Sequence, residues 1–548
     1  MSKSFYLITF FTLLFVAQII KAQNVSSEID SLLQKYEQHN SPGLGIGVIK
    51  DGNIIYSKSI GLASLEYNVK NSDSTVFSLA SIAKQFTSAC IWTLIKENKL
   101  SLDDDIRKYL PEIKAHSQDI KVRHLLNHTS GLSNYHSLMY LSGFDYDKEY
   151  YDNSTVLKLA AKQGKLNNNM GEKVVYANTN YTLLAVIIER VSGMNLHEFA
   201  KKNLFIPLGM KNTLVRIENN TIIKNKAIGY QKTKNGFIQL PRIQTSYGAG
   251  SMGSTVKDMV LWINMLNGDN PKFIELSQFL TTLETLPSGE KAKYARGVMV
   301  DDYKGFTTIS HSGYGWGGQS QLITIPEKKL GIIIMTNLES INPTLISYEI
   351  LDLFLPQTKA IKEKSSKKYK AKSKDLKSFV GQYKEVNSDM KMEILLENDT
   401  LKSKGARAKN LTALEGFEKN KFHRINSESV KYDFTKNEKH DLVISFGGTP
   451  FYFKKANFID SKMVNLNEFI GKYYSKELDV IYEFFETDEK LYLKYKNHDK
   501  IALETVQKDE FGNNDRTLYY FTRNSKNEIE KMLFSCDGSI SEIEFVKQ

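Results

Sequence analysis

Two cysteines, Cys90 and Cys536, are all that this chain of 548 residues contains. A pair so far apart makes no disulfide framework, so free, buried thiols are expected. Proline is scarce as well, at 10 residues, and no proline- or glycine-rich tract occurs. Extended disorder is therefore not expected. After residue 22 no apolar run approaches the ~18–20 residues that a membrane-spanning helix needs. An acidic surplus is also missing: 73 Lys and Arg stand against 62 Asp and Glu, a net charge of +11. Much of the excess lies between Lys359 and Lys374, with eight lysines and one acid, Glu363. That stretch reads as a solvated linker, or as a patch for an anionic wall or membrane surface. No nucleic-acid-binding module is recognisable, so nucleic acid is not expected as a partner.

What is present is ordinary for folded protein: 41% hydrophobic and 25% charged residues, with a length that suggests about three domains. The first 22 residues read as a signal peptide. Lys3 supplies a positive start, Phe5 to Ile20 is apolar apart from Thr9, Thr12 and Gln18, and Ala22 is a small residue suited to cleavage. No cysteine follows to carry a lipid. A periplasmic or secreted protein without a stable membrane span is expected.

Gly45–Lys50 and Ile54–Ile60 are strand-like runs, and Asp51-Gly52 between them fits a two-residue hairpin turn. Helical patterns follow over Ser81–Asn98, Thr182–Ser192 and Lys257–Asn267, the last with Thr255 and Asp258 as cap and third-position acid. Strand-like runs return at Gln319–Ile325 and Leu330–Thr336. Strands at both ends with helices between predict an α/β domain over residues 23–358, with one mixed sheet whose first and last strands pair. After a linker at 359–374 the texture changes to short aromatic and β-branched runs between turn residues. This part repeats itself: Phe379-Val380-Gly381-Gln382-Tyr383 matches Phe469-Ile470-Gly471-Lys472-Tyr473, 90 residues on. Two copies of one small antiparallel β-barrel are predicted, over 375–460 and 461–548. They hold no clustered Ser, His and acid set, and they offer surface aromatics such as Tyr383, Phe451, Tyr473 and Tyr492. Their expected work is to stabilise, to orient partners, or to lay a loop over a cleft in the first domain.

Three short segments carry chemistry. Ser81-Ile82-Ala83-Lys84 has a hydroxyl and an amine one helical turn apart at a predicted helix start. Helix starts offer unpaired N–H groups and a positive dipole end, which favour an oxyanion. A lysine deprived of solvent loses proton affinity and can act as a base. The same spacing recurs at Ser254/Lys257, Ser288/Lys291 and Ser365/Lys368; context separates Ser81, which follows Phe77-Ser78-Leu79-Ala80 and precedes an apolar helix through Phe86, Ile91, Leu94 and Ile95. Tyr176-Ala177-Asn178 precedes a second helix; a phenol beside an ammonium relays protons, and an amide orients a substrate. His311-Ser312-Gly313, followed by Tyr314-Gly315-Trp316-Gly317-Gly318, puts a histidine among glycines that permit close backbone approach. His124 and His128 mimic a zinc pair, but no Glu lies between them as in H-E-x-x-H, and no metal or cofactor is expected.

In this order the three segments resemble the serine β-lactamase and penicillin-binding protein superfamily, in its class C-like branch. Pro42-Gly43-Leu44-Gly45, the run Val122 to Leu132, Pro207-Leu208-Gly209-Met210 and Gly248-Ala249-Gly250-Ser251 fit the same branch. The resemblance implies a β-lactamase-like fold: an antiparallel sheet flanked by helices plus an all-helical lobe. It implies Ser81 as the acylated residue, Lys84 as its base, Tyr176 as a second proton carrier and Asn178 as a substrate-orienting group. The N–H groups of Ser81 and Tyr314 would form an oxyanion hole. His311 stands where β-lactamases and transpeptidases usually carry lysine, which weakens the expectation of efficient β-lactam hydrolysis. The histidine form resembles D-aminopeptidases and some esterases; the former also carry two lipocalin-like barrels. His311 would contact a substrate carboxylate or assist proton transfer, beside Ser312, Gly313 and Tyr314. The functions left open are a peptidase or amidase on small, D-residue-containing peptides, an esterase or weak β-lactamase, and an idle binder of cell-wall fragments.

Overall fold

The computed structural model describes residues 25–356 and 369–548, apart from positions 115, 117, 241–242, 290, 370, 406–407, 409, 426, 447–448, 460, 497, 514–515 and 537–538. The signal-peptide segment and most of the lysine-rich linker lie outside the described residues.

Six strands form the central sheet: β1 (Leu44–Lys50), β2 (Asn53–Ile60), β3 (Met299–Tyr303), β4 (Phe306–Gly315), β5 (Gly318–Ile325) and β6 (Leu330–Thr336). Their order is β3-β4-β5-β6-β1-β2. The β1–β2 hairpin turns at Asp51 and Gly52, both with positive φ (50° and 79°), as an Asp-Gly pair in a two-residue loop requires. The first and last strands pair as expected, with Leu44 opposite Thr336 and Lys50 opposite Leu330. The sheet is not mixed: every strand pair is antiparallel. The reason is connection length. Turns of two to four residues link β1 to β2 and each of β3 to β6 to the next, whereas a parallel neighbour needs a crossover of a dozen or more.

Five helices position the site: α1 (Ala83–Lys96), α2 (Tyr135–Leu141), α3 (Asn178–Ser192), α4 (Val256–Leu266) and α5 (Pro343–Phe354). β6 is buried along its whole length, because α4 and α5 lie on opposite faces of the sheet. Ile333 and Met335 join α1, α3 and α4 in one core, while Ile332 and Ile334 join α5 in another. Strand alternation assigns successive residues to the two faces. Thr255 caps α4 by accepting from Asp258 N. The Asp258 carboxylate does not return the bond; it accepts from Asn212 N and the Thr213 hydroxyl. Cys90 is buried in the α1 core, and Cys536 is partly buried in the second barrel; neither is in a disulfide.

Two closed eight-stranded antiparallel barrels follow, one running from Gly381–Glu385 to Thr449–Lys455, the other from Gly471–Ser475 to Ile540–Lys547. The repeated Phe-x-Gly-x-Tyr segment has a physical explanation. Tyr383 and Tyr473 bond back to the carbonyls of Phe379 and Phe469, at 2.7 and 3.0 Å, and Lys455 and Lys547 each lie 5.6 Å from the matching ring. These tyrosines are therefore not surface aromatics: they are 1% and 0% exposed, because strand alternation turns them inward as floor plugs. The second barrel is filled by Phe484, Phe521, Met532 and Phe545, all buried.

The second barrel clasps α2. Leu138 and Leu141 are buried in its core cluster, and the Tyr482 hydroxyl donates to the Leu141 carbonyl at 2.9 Å. Asn167 pins the same junction. Its side chain donates to the Ser539 carbonyl at 2.7 Å and accepts from Ser541 N at 2.8 Å, while its own N–H reaches the Gly131 carbonyl. Leu138→Ala should open a cavity here and cost about 2–5 kcal/mol. A denaturant titration checks this; an unchanged midpoint would mean that the junction contributes nothing to stability.

Candidate active site

Ser81 does not sit in the first turn of α1. It lies in a 3₁₀ turn, Ala80–Ile82, just ahead of that helix. Ala80 holds φ at 44°, a left-handed conformation that costs a non-glycine residue energy and persists only where neighbours impose it. Here Leu79 N bonds the Met252 carbonyl at 2.9 Å, and the Ser320 hydroxyl donates to the Leu79 carbonyl at 2.8 Å. Gly313 lets β4 come this close: a Cβ there would overlap both the Leu79 carbonyl oxygen and Ser320 Oγ.

Lys84 is fully buried. Its Nζ lies 3.0 Å from Ser81 Oγ, 2.9 Å from Asn178 Oδ1 and 2.8 Å from the Ala249 carbonyl. Among the described residues no carboxylate pairs with it, and burial alone drives its pKa well below the usual lysine range. A neutral amine has two N–H bonds and one lone pair. The amide oxygen and the carbonyl can only accept, so they take the two N–H bonds. The lone pair is left for Ser81, the one neighbour of the three that can donate.

Asn178 is the first residue of α3, four residues before the predicted start. The sequence does not show this start because the cap groups come from elsewhere: Asn178 N donates to Asn134 Oδ1, and Ala177 N to His128 Nδ1, each at 3.2 Å. Tyr176 is 39% exposed, and its ring lies 4.8 Å from Lys84 Nζ. Loss of solvent around its hydroxyl raises the phenol's pKa, and a bond to Ser81 partly opposes that rise.

His311 stands on β4, not in a loop, and is buried. Its Nδ1 donates to the Ser312 carbonyl at 2.6 Å, so its Nε2 accepts from the Tyr294 hydroxyl at 3.1 Å. Burial, with Lys84 nearby, pushes its pKa down to about 3. Both ring nitrogens are thus satisfied inside the protein, and His311 is not among the residues that line the cleft over Ser81. Tyr294 carries no sequence signal, being one tyrosine in a segment without a motif. His124 caps a short helix, accepting from Lys121 N at 3.2 Å. His128 packs beneath Tyr176, ring centroids 4.4 Å apart.

Ser312 and Tyr314 point the other way. Two-residue turns join β3 to β4 and β4 to β5, and each is closed by a mutually bonded pair, Tyr303 with Phe306 and Gly315 with Gly318. By alternation the even-numbered residues of β4 bond towards β3. β3 begins at Met299, opposite Ser310. Beyond it the N–H groups of Ser312 and Tyr314 face an uncovered strand edge beside the Ser81 turn.

The cleft over Ser81 has a volume of about 80 Å³. The rings of Tyr135, His136, Tyr151 and Trp316 form its walls. No barrel residue is among its described lining residues. A far larger space, about 1160 Å³, lies where residues 164–173 face both barrels; it contains none of Ser81, Lys84 or Tyr176, and size alone does not make it the reactive site.

A sheet with helices on both faces and a serine–lysine pair under a tyrosine defines the penicillin-recognising class of serine hydrolases. The β-lactamase family model matches residues 28–352, and the protein belongs to that family. It is 26% identical over 333 residues to a D-aminopeptidase of Brucella anthropi, covering 60% of this chain and 62% of that one. It is 29% identical to penicillin-binding protein 4* of Bacillus subtilis, covering 58% and 73%. The chain spans about three fifths of the D-aminopeptidases of Brucella anthropi and Gluconobacter oxydans, 62% and 56%. Its fold is similar to that of the octameric penicillin-binding protein homologue from Pyrococcus abyssi, with a TM-score of 0.54, 23% identity, and coverage of 86% and 99%.

Three histidines shielded from solvent, His311 buried and His124 and His136 half-buried, make acid stability a test of this packing. His124 and His136 are held near pKa 4 and His311 near 3, mainly by burial, against an ordinary histidine value of 6.5. Below pH 6.5 the unfolded chain takes up protons that the folded chain refuses, so stability falls as pH falls. The loss should begin near pH 6.5, above the carboxylate range, and continue to about pH 3–4. Denaturant midpoints measured between pH 7 and 4.5 check it; a flat profile would mean that these rings are not buried as neutral groups.

Proposed function

We propose that the protein is an exported serine hydrolase that forms an acyl-enzyme through Ser81 on small peptides, amides or esters. The observation that carries this reading is the Lys84 amine, whose two acceptor neighbours leave its lone pair to the Ser81 hydroxyl. Ser81 Oγ attacks the substrate carbonyl carbon while its proton passes to Lys84 Nζ. The oxyanion that develops is held by the N–H groups of Ser81 and Tyr314; one such donor is worth ~3–4 kcal/mol. The C–N or C–O bond then breaks, and the leaving group takes its proton from the Lys84–Tyr176 pair. Water attacks the acyl ester, gives a proton to the same pair, and Ser81 is restored. Asn178 holds Lys84 on one side and meets the substrate on the other. His311 acts through Tyr294 as a positioning residue and supplies no charge at neutral pH.

Amide substrates are supported by similarity to chains described as D-aminopeptidases. Esters remain a second reading, because an 80 Å³ cleft walled by aromatic rings suits a short acyl group. An idle binding protein for wall fragments would have no use for a desolvated amine aimed at a serine. The residue 1–22 segment supports export to the periplasm or beyond the cell.

A serine-directed fluorophosphonate should add one adduct, read by intact mass, that Ser81→Ala abolishes; equal labelling of that variant would sink the assignment. Lys84→Ala and Tyr176→Phe should each remove most turnover, and the double variant should be little worse than either, since groups acting as one unit are non-additive. Gly313→Ala, which displaces the Ser81 turn from β4, should slow labelling by about 10²-fold. Multiplicative losses in the double variant, or an unchanged labelling rate for Gly313→Ala, would show that the proton pair or the turn has been misassigned.

A further inference from the structure

Hydrolases that act at a free amino end must hold an ammonium group next to the carbonyl they attack. A desolvated cation needs a carboxylate or several oxygen acceptors. The polar lining of the cleft over Ser81 is made of serine hydroxyls, the Asn178 and Gln244 amides and backbone carbonyls, which hold a cation less strongly than a carboxylate does. No Asp or Glu is among its described lining residues. The Ala249 carbonyl is already taken by Lys84. One acid lies near, behind Tyr314: Glu339 accepts the Tyr314 hydroxyl through one carboxylate oxygen, and its other oxygen is buried without a partner.

The wall formed by Gln244, Ser246 and Ser251 hides a charge of the opposite kind. Arg216 is 5% exposed. Its backbone N–H bonds the Ser251 carbonyl at 2.7 Å, and its Nη2 donates to the Gln244 carbonyl at 2.8 Å. Its Nε is buried and has no partner, and among the described residues no carboxylate pairs with it. A guanidinium stays charged under any ordinary condition, and a charge behind one residue of low-dielectric wall is poorly screened. The nearby histidines add no positive charge to it at neutral pH, because loss of solvent holds the pKa of His136 down to about 4 and that of His311 to about 3.

We propose that this site takes acyl groups without a free ammonium, neutral ones in particular, and rejects α-amino acyl groups, because its lining lacks an acid and the unpaired Arg216 guanidinium lies directly behind it. The proposal rests on the acyl-enzyme reading and narrows its substrates to amides and esters whose amino end is blocked or absent.

Matched p-nitrophenyl esters test it. Isobutyrate and alaninate have nearly the same shape and differ by a methyl against an ammonium. The kcat/KM for the isobutyryl ester should exceed that for either D- or L-alanyl ester by tenfold or more. An alanyl ester hydrolysed as fast as the isobutyryl one, or faster, overturns the proposal, as does an isobutyryl ester left intact by protein whose Ser81 is labelled by fluorophosphonate. Failure of that labelling would instead overturn the acyl-enzyme reading. Arg216→Lys should keep the ratio, and Arg216→Gln, which can still donate to the Gln244 carbonyl, should narrow it. An unchanged ratio in folded Arg216→Gln would remove the guanidinium from the explanation. If that variant does not fold, the wild-type ratio still decides between the outcomes.

Discussion

A lysine buried without a carboxylate is the constraint around which the first domain is arranged. An ammonium in that position would leave a charge uncompensated in the core, so burial favours the neutral amine, which has two N–H bonds to place on acceptors. One comes from the start of α3, through Asn178, and the other from the 248–251 loop, through the Ala249 carbonyl. Two segments distant in sequence are thereby tied to α1. The tie leaves local strain at Ala80, and β4 holds it in place by bringing Gly313 and Ser320 against Leu79. Packing, polarity and backbone conformation all converge on one amine held against one hydroxyl.

The barrels bear on the same site although none of their described residues lines the cleft. α2 has two working faces. Leu138 and Leu141 are sunk in the second barrel, while Tyr135 and His136 wall the cleft over Ser81. Asn167 extends the link, joining the barrel's 539–541 turn to Gly131 and to the Ser133 hydroxyl. The Ser133 carbonyl in turn accepts from Thr179 on α3 at 2.6 Å. A helix of seven residues has little stability of its own. Its rigidity, and with it the shape of the cleft wall, is borrowed from the barrel.

Much of this is legible in the sequence, for identifiable reasons. The S-x-x-K spacing, the Asp-Gly hairpin, the pairing of first and last strands, and the 90-residue repeat are local or periodic signals, and each corresponds to an element of the structure. Tyr383 and Tyr473 look like surface groups in the sequence because a short aromatic run does not declare which residue of the pleat faces in; the repeat itself marks them as structural. The start of α3 is hidden because its caps, Asn134 and His128, come from about forty to fifty residues upstream. Tyr294, Arg216 and the Ala249 carbonyl leave no pattern at all. They act by where the fold puts them, and two of them act by lacking a conventional partner or by being backbone.

His311 shows how position and chemistry separate. On a strand beside Ser81, a lysine would carry a fixed positive charge into the cleft. The imidazole turns the other way, held between the Ser312 carbonyl and the Tyr294 hydroxyl, and its proton affinity collapses with its hydration. Tyr294 in turn packs on His128 with ring centroids 4.6 Å apart, and His128 packs under Tyr176. The third motif therefore reaches the reacting groups through a stack of neutral rings that fixes the tilt of the Tyr176 phenol over Lys84. With no charge in the third motif, the fixed charges nearest the cleft lie behind its walls: the Arg216 guanidinium behind Gln244 and Ser251, and the Glu339 carboxylate behind Tyr314.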